Sequence, residues 1–343
     1  MRQWSGGLLD SNDVIALTGT SRRQKVLPRI KHNHEDEKEA EPFASQGHYS
    51  EIQEKSQRKS MIFTEDERGS QTSKCVYSYE DRYMFNRIIS GTDLLFDSHF
   101  ECGNLSQAFR KGGSDHQRSN FTEYDLTLHH DVHSVGHTQW FYYSVSNMVA
   151  NTSVKFNIGN FTKPTSLFND GMRPLIYSEK KGKWCRCGEN ISYSRSRRLN
   201  SKRNVYILTF THKFDESDDK CYFAYSYPYT YSDLQDYLQS LQLNKIRSKS
   251  FRRSLLSLTL GGNRCDLLTI TEPTSSLTEL QERKGILISA RVHPGETVAS
   301  WICKGVIDFL TSDNDCANAL RKAFVFKVIP MLNPDGVING NYR

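Results

Sequence analysis

The chain has 343 residues, a formal net charge of +6, 24% charged residues and a mean hydropathy of −0.63. That length suits two domains plus tails, and no apolar run approaches the roughly 20 residues of a membrane-spanning helix, so no membrane partner is expected. The first thirty residues lack the apolar core and cleavage pattern of a secretory signal; the cytoplasm is the expected compartment, and the eight scattered cysteines are expected as free thiols.

Residues 1–91 are polar and mixed in charge. Lys31–Ser60 holds almost no large apolar residue and cannot bury enough surface to offset its ordering entropy. We expect a disordered tail over 1–91, with His32, His34 and His48 as solvated side chains. From 92 to 232 the pattern turns β-rich. The runs Tyr124–His130, Trp140–Val145, Ser153–Ile158, Val205–Thr211 and Tyr222–Tyr227 are separated by turn clusters such as Asn169-Asp-Gly171. Short strands at this spacing predict an antiparallel β-sandwich. His129, Asp131 and His133 alternate, as residues sharing one face of a strand would, and that face is expected to be solvated rather than to bind metal. Cys185-Arg-Cys187 lacks the two-residue spacing of a zinc knuckle. Tyr193–Arg203 carries five basic residues, without the interleaved aromatics or motif of a nucleic-acid module, so no nucleic-acid partner is expected.

The α/β part spans 233–343. Leu234, Tyr237, Leu238 and Leu241 share one helical face. Ser254–Leu260 and Cys265–Ile270 read as strands joined at Gly261-Gly262-Asn263. Ile286, Leu287, Ile288 and Val292 make a buried-strand run, His293-Pro-Gly-Glu296 breaks it, and Val298, Trp301, Ile302, Gly305, Val306, Phe309 and Leu310 then recur at helical spacing, as one face of a helix. A second short helix over Ser312–Lys322 and a strand over Ala323–Pro330 follow, leading into Asn333-Pro-Asp-Gly336.

His293 and Glu296 thus occupy a tight loop at the carboxyl end of a strand, where open α/β sheets bind ligands. An imidazole and a carboxylate so spaced can reach one zinc ion, which takes such donors at about 2.0–2.2 Å. The spacing itself carries little weight, because His32–Glu35 and His34–Glu37 share it in a polar stretch. The strand-loop-helix context distinguishes the third instance.

Arg291-Val-His293-Pro-Gly-Glu296, then a helix, then a strand into Pro330-Met-Leu-Asn-Pro-Asp-Gly336, then Gly340-Asn-Tyr-Arg343, resembles the zinc carboxypeptidases, and in particular their cytosolic branch. The β-rich segment resembles that branch's leading domain at Phe100–Leu105, Thr138–Tyr142, Phe156–Ile158 and Tyr225–Tyr231. The resemblance implies an N-terminal β-sandwich followed by a truncated carboxypeptidase α/β domain. It implies Zn2+ as cofactor, His293 and Glu296 as two of its ligands, and Arg343 as the arginine that polarises the scissile carbonyl. It also implies removal of glutamates from acidic protein tails such as tubulin's, with microtubules or cilia as the setting. By the same resemblance a third zinc ligand (a His), an Asn-Arg pair and a general-base Glu lie beyond Arg343, so the chain by itself is expected to be inactive and its sheet incomplete. Two other readings are an aspartoacylase-like zinc amidohydrolase and a non-catalytic module that binds through the sandwich.

Overall fold

Tyr142, Tyr143, Ser144 and Val145 are all buried, and so are Cys221, Tyr222, Phe223 and Ala224. Neighbouring residues of a strand face opposite ways, so these two strands are covered on both sides and form a central layer. The computed structural model, which describes residues 73–81, 93–112, 121–134, 136–196 and 205–343, shows what covers them. On one side lies a six-stranded sheet in the order β1 (Lys74–Ser78), β3 (Leu105–Arg110), β4 (Thr122–Leu128), β6 (Ser153–Phe161), β10 (Tyr206–Lys213), β9 (Glu189–Arg195). The central layer is a five-stranded sheet in the order β2 (Leu95–Asp97), β5 (Tyr142–Ser146), β11 (Cys221–Ala224), β7 (Leu175–Ser178), β8 (Lys183–Arg186). Phe96, Tyr143 and Phe223 of the central sheet meet Tyr124, Phe156 and Phe210 of the larger one in a single aromatic core.

The sandwich is antiparallel with one exception: β4 and β6 pair in parallel. The strand between them in sequence, β5, lies in the other sheet, so the chain returns to the first sheet running the same way. A second correction concerns the expected tail. Of residues 1–91 only 73–81 are described, and there Lys74–Ser78 pairs with β3 as an edge strand. Val76 and Tyr77 are buried, and the Tyr77 hydroxyl meets Ser98 Oγ at 3.1 Å. Two apolar side chains suffice to dock one edge strand, which the polar composition around them hid. His32, His34, His48 and the Lys31–Ser60 stretch lie outside the described residues, as does 197–203 of the basic run.

Beneath the central sheet lies the α/β part. Its four strands run in the order β12 (Phe251–Leu258), β13 (Arg264–Ile270), β15 (Phe324–Ile329), β14 (Lys284–Ser289), with β14 and β15 parallel. Its helices are α1 (Tyr231–Leu243), α2 (Leu277–Glu282), α3 (Thr297–Leu310), α4 (Asp315–Ala323) and α5 (Pro334–Ile338). Tyr142, Tyr222 and Ala224 leave the sandwich on its far side and join Leu234, Leu238 and Leu241 of α1, with Leu268 and Val328, in a second core. Helix α1 starts with a capping box between Thr230 and Asp233. The Glu101 carboxylate, from the sandwich, also accepts the Tyr231 and Ser232 backbone N–H groups. Helix α3 buries Thr297, Ser300, Cys303, Ile307 and Leu310. It leaves Val298 61%, Trp301 45% and Ile302 62% exposed, so of the apolar face read from the sequence most lies on the outer side and Leu310 alone is buried. The helix is apolar nearly all round, and periodicity alone cannot choose its buried face. All eight cysteines are free.

Two outcomes follow from this layering. Phe223 is wholly buried in the aromatic core, and Phe223→Ala should lower the unfolding free energy by about 3–5 kcal/mol, read from urea midpoints; a loss below about 1 kcal/mol would contradict the packing described. The second concerns pH. Burial pushes the His212 imidazole, set edge-on to Phe214 and Phe223, down to about 4. Burial pushes His129, beside Tyr79, down to about 4 as well. Between those values and the ordinary 6.5 the unfolded chain binds protons that the folded chain does not. Stability should therefore fall as pH drops through that window. Replacing His212 with Phe should flatten the slope of urea midpoints against pH, and an unchanged slope would count against it.

Candidate metal centre

The loop between β14 and α3 is shaped by backbone and by one buried arginine. Ala290 N–H donates to the Ile329 carbonyl at 2.9 Å and Leu332 N–H to the Ala290 carbonyl at 2.9 Å, extending the β14–β15 ladder to the base of the loop. Arg291 follows with φ +57°, in the left-handed region that L-residues seldom occupy. Its side chain turns inward and is 2% exposed. The guanidinium donates to the Pro294 carbonyl at 2.8 Å, the Tyr229 carbonyl at 3.0 Å and Ser300 Oγ at 2.8 Å. It thereby ties the loop to the approach to α1 and to the first turn of α3. Burial draws this guanidinium below its ordinary pKa.

His293 and Glu296 come together at the rim. His293 Nδ1 lies 3.2 Å from Glu296 Oε1, and both side chains reach solvent. Glu296 is the N-cap residue of α3, yet its side chain makes no capping bond. The carboxylate is free to face His293, and the helix N-terminus favours its negative charge. The 340–343 segment closes over the same loop: Gly295 N–H donates to the Tyr342 carbonyl at 2.9 Å. A Cβ on Gly295 would stand 2.7 Å from the Tyr342 ring, so only glycine permits this approach. Arg343 is the next residue, with its side chain exposed.

An imidazole nitrogen and a carboxylate oxygen are the donor types zinc accepts, and ligand atoms of a tetrahedral ion lie about 3.4 Å from one another. The 3.2 Å separation therefore fits a shared ion. Among the described residues no group of three or more His, Cys, Asp and Glu side chains converges as a metal site. His129, Asp131 and His133, alternating in sequence, do not share a strand face: β4 ends at Leu128, Asp131 is buried, and His133 is exposed with a left-handed φ of +58°. Asn333-Pro-Asp-Gly336 proves to be scaffold. Asn333 Oδ1 caps α5 by accepting Gly336 N–H at 3.0 Å. Asp335 accepts from Thr259 Oγ1, Gly261 N–H and Asn263 Nδ2, which fixes the β12–β13 turn. Burial opposes ionisation of Asp335, but these donors outweigh it and hold the carboxyl below its usual range.

Comparison with known proteins identifies the family. Residues 96–226 match the cytosolic carboxypeptidase N-terminal domain, and residues 236–342 match the zinc carboxypeptidase domain. The chain belongs to the cytosolic carboxypeptidases. It is 46% identical over 255 residues to cytosolic carboxypeptidase 3 of Mus musculus, covering 73% of this chain and 24% of that protein. It is 44% identical over 283 residues to cytosolic carboxypeptidase 2 of Xenopus tropicalis, covering 80% of this chain and 28% of that protein. The chain thus spans about a quarter of the length of these relatives. A metallo-carboxypeptidase from Burkholderia cenocepacia shares the fold, with a TM-score of 0.53 at 22% identity, over 73% of this chain and 59% of that one. Zinc is the metal of the family.

Sequence reasoning singled out His293, Glu296 and Arg343 but passed over Arg291 and Ser300. An arginine two residues before the histidine was the available signal. Its burial shows only in three dimensions. Replacing Arg291 with Ala should destabilise the chain by about 2–3 kcal/mol by removing charge-assisted bonds to Pro294, Tyr229 and Ser300. Arg291→Lys should recover little, since an ammonium lacks the planar fork. Thermal melts check both, and a lysine variant that melts like the parent would contradict the assignment.

Proposed function

We propose that His293 and Glu296 are two protein ligands of the catalytic zinc of a carboxypeptidase and that Arg343 polarises the scissile carbonyl. The observation that carries this reading is the 3.2 Å approach of His293 Nδ1 to Glu296 Oε1 at the carboxyl end of β14, beside the Tyr342–Arg343 segment. Zinc bound there supplies Lewis acidity toward a carbonyl, worth several kcal/mol of charge stabilisation. The chain's own residues do the rest of what is proposed here. His293 and Glu296 hold the ion at the rim, open to solvent on one side, where a polypeptide end has access. Arg343 donates N–H to the oxygen that gains charge as the carbonyl is attacked, a contribution of about 3 kcal/mol for donors of this kind.

The substrates we propose are acidic protein tails of the polyglutamylated tubulin type, from which C-terminal or side-chain glutamates are released. The kinship with the cytosolic carboxypeptidases supports this, as does a net charge of +6, which attracts anionic tails at long range. The setting we propose is the cytoplasm, at microtubules or cilia, without nucleic-acid or membrane partners. The N-terminal domain match at 96–226 favours a carboxypeptidase over an aspartoacylase-like amidohydrolase.

In an enzyme that carries the whole carboxypeptidase domain, Arg343→Ala should lower kcat on a polyglutamate-tailed peptide about 10²–10³-fold. A chelator should abolish glutamate release. The 343-residue chain itself should release no more glutamate than its His293→Ala variant. An Arg343→Ala enzyme with unchanged kcat, or turnover by this chain well above its His293→Ala control, would contradict the reading.

A further inference from the structure

Asp131 lies in the sandwich, in the loop after β4, and is 7% exposed. Its two carboxylate oxygens accept the backbone N–H groups of Tyr342 at 2.6 Å and Arg343 at 2.7 Å, across 211 and 212 residues of sequence. A buried carboxylate with two such donors is a strong, charge-assisted anchor. It acts with three others. Cys102 N–H donates to the Ile338 carbonyl at 3.1 Å. Gly340, with φ +71°, sits so close to Cys102 and Gly103 that a Cβ would meet the Gly103 carbonyl oxygen at 2.7 Å. Lys163 contacts the Tyr342 hydroxyl and lies over its ring. Asp131, Cys102, Gly103 and Lys163 all come from the sandwich. On its other side Tyr342 holds the metal loop, through its carbonyl and its ring against Gly295.

We propose that Asp131 is a positioning residue of the metal site: it fixes Tyr342 and Arg343 from the sandwich, and through Tyr342 sets the His293–Glu296 loop. The N-terminal domain would then be part of how the site is built, rather than a separate module. The proposal rests on the reading of His293, Glu296 and Arg343 given above, so its test must separate the two. Zn2+ alone is titrated into the full chain, and hydrogen exchange of the 338–343 and 290–297 segments is followed by mass spectrometry. Asp131→Ala should speed exchange in both segments about tenfold or more. It should also weaken Zn2+ binding by about 10- to 100-fold, the usual effect of losing a residue that supports metal ligands. Asp131→Asn, which keeps one acceptor oxygen, should fall between. Leu208→Ala, a cavity in the sandwich core, should lower the melting temperature while leaving Zn2+ affinity as it was. His293→Ala should abolish Zn2+ binding and leave 338–343 protected. Wild-type exchange at 338–343 in both Asp131 variants would overturn the proposal, as would an equal loss of Zn2+ affinity in Leu208→Ala. Zn2+ binding that survives His293→Ala would overturn the metal reading instead, and the exchange data would still decide Asp131.

Discussion

The structure depends on one layer buried from both sides. Strands β5 and β11 send Tyr143, Val145, Cys221 and Phe223 into the sandwich and Tyr142, Tyr222 and Ala224 into the α/β core. A strand used this way has no face left for solvent, which is why its residues run apolar or aromatic without alternation. The consequence is mechanical. A packed interior transmits displacement rather than absorbing it, so the β4–β5 loop and the loop after β14 are held in one frame. Asp131 can therefore accept N–H groups from residues more than two hundred positions away with hydrogen bonds of 2.6 and 2.7 Å.

The candidate site is made of backbone before it is made of side chains. Its loop is set by an arginine in the left-handed region, by ladder bonds at Ala290 and Leu332, and by the Gly295–Tyr342 bond. The buried Arg291 guanidinium donates to two carbonyls and a hydroxyl. The two side chains left at the rim, His293 and Glu296, are spared structural duties. Glu296 does not cap the helix it precedes, and the arrangement keeps the carboxylate beside the imidazole.

Much of this was legible in the sequence where a segment does one job. The run Ile286–Ile288, the break at His293-Pro-Gly-Glu296 and the helix after it appear as β14, loop and α3, but the strand expected to be buried lies at the sheet edge with Leu287 70% and Val292 52% exposed. The Gly261-Gly262-Asn263 turn joins β12 to β13 as read. Legibility failed where a residue answers to a distant partner. Lys74–Ser78 was hidden because Val76 and Tyr77 are its only buried side chains. The parallel β4–β6 pair depends on β5 crossing to another sheet, which no local pattern records. Asp131 read as a solvated strand residue, since its partners, Tyr342 and Arg343, lie at the far end of the sequence. The buried side of α3 was misjudged because the helix is apolar nearly all round, with Lys304 and Asp308 its only charged side chains.

The central claim is that zinc belongs between His293 and Glu296, on a loop that the sandwich holds in place. Anomalous diffraction at the zinc edge, from crystals of this chain equilibrated with Zn2+, tests it most directly. The account predicts a peak about 2.0–2.2 Å from both His293 Nδ1 and a Glu296 carboxylate oxygen, with Tyr342 still on Gly295. A peak at other donors, such as the exposed Cys185, Cys316 or His133, with none at the His293–Glu296 pair, would contradict it.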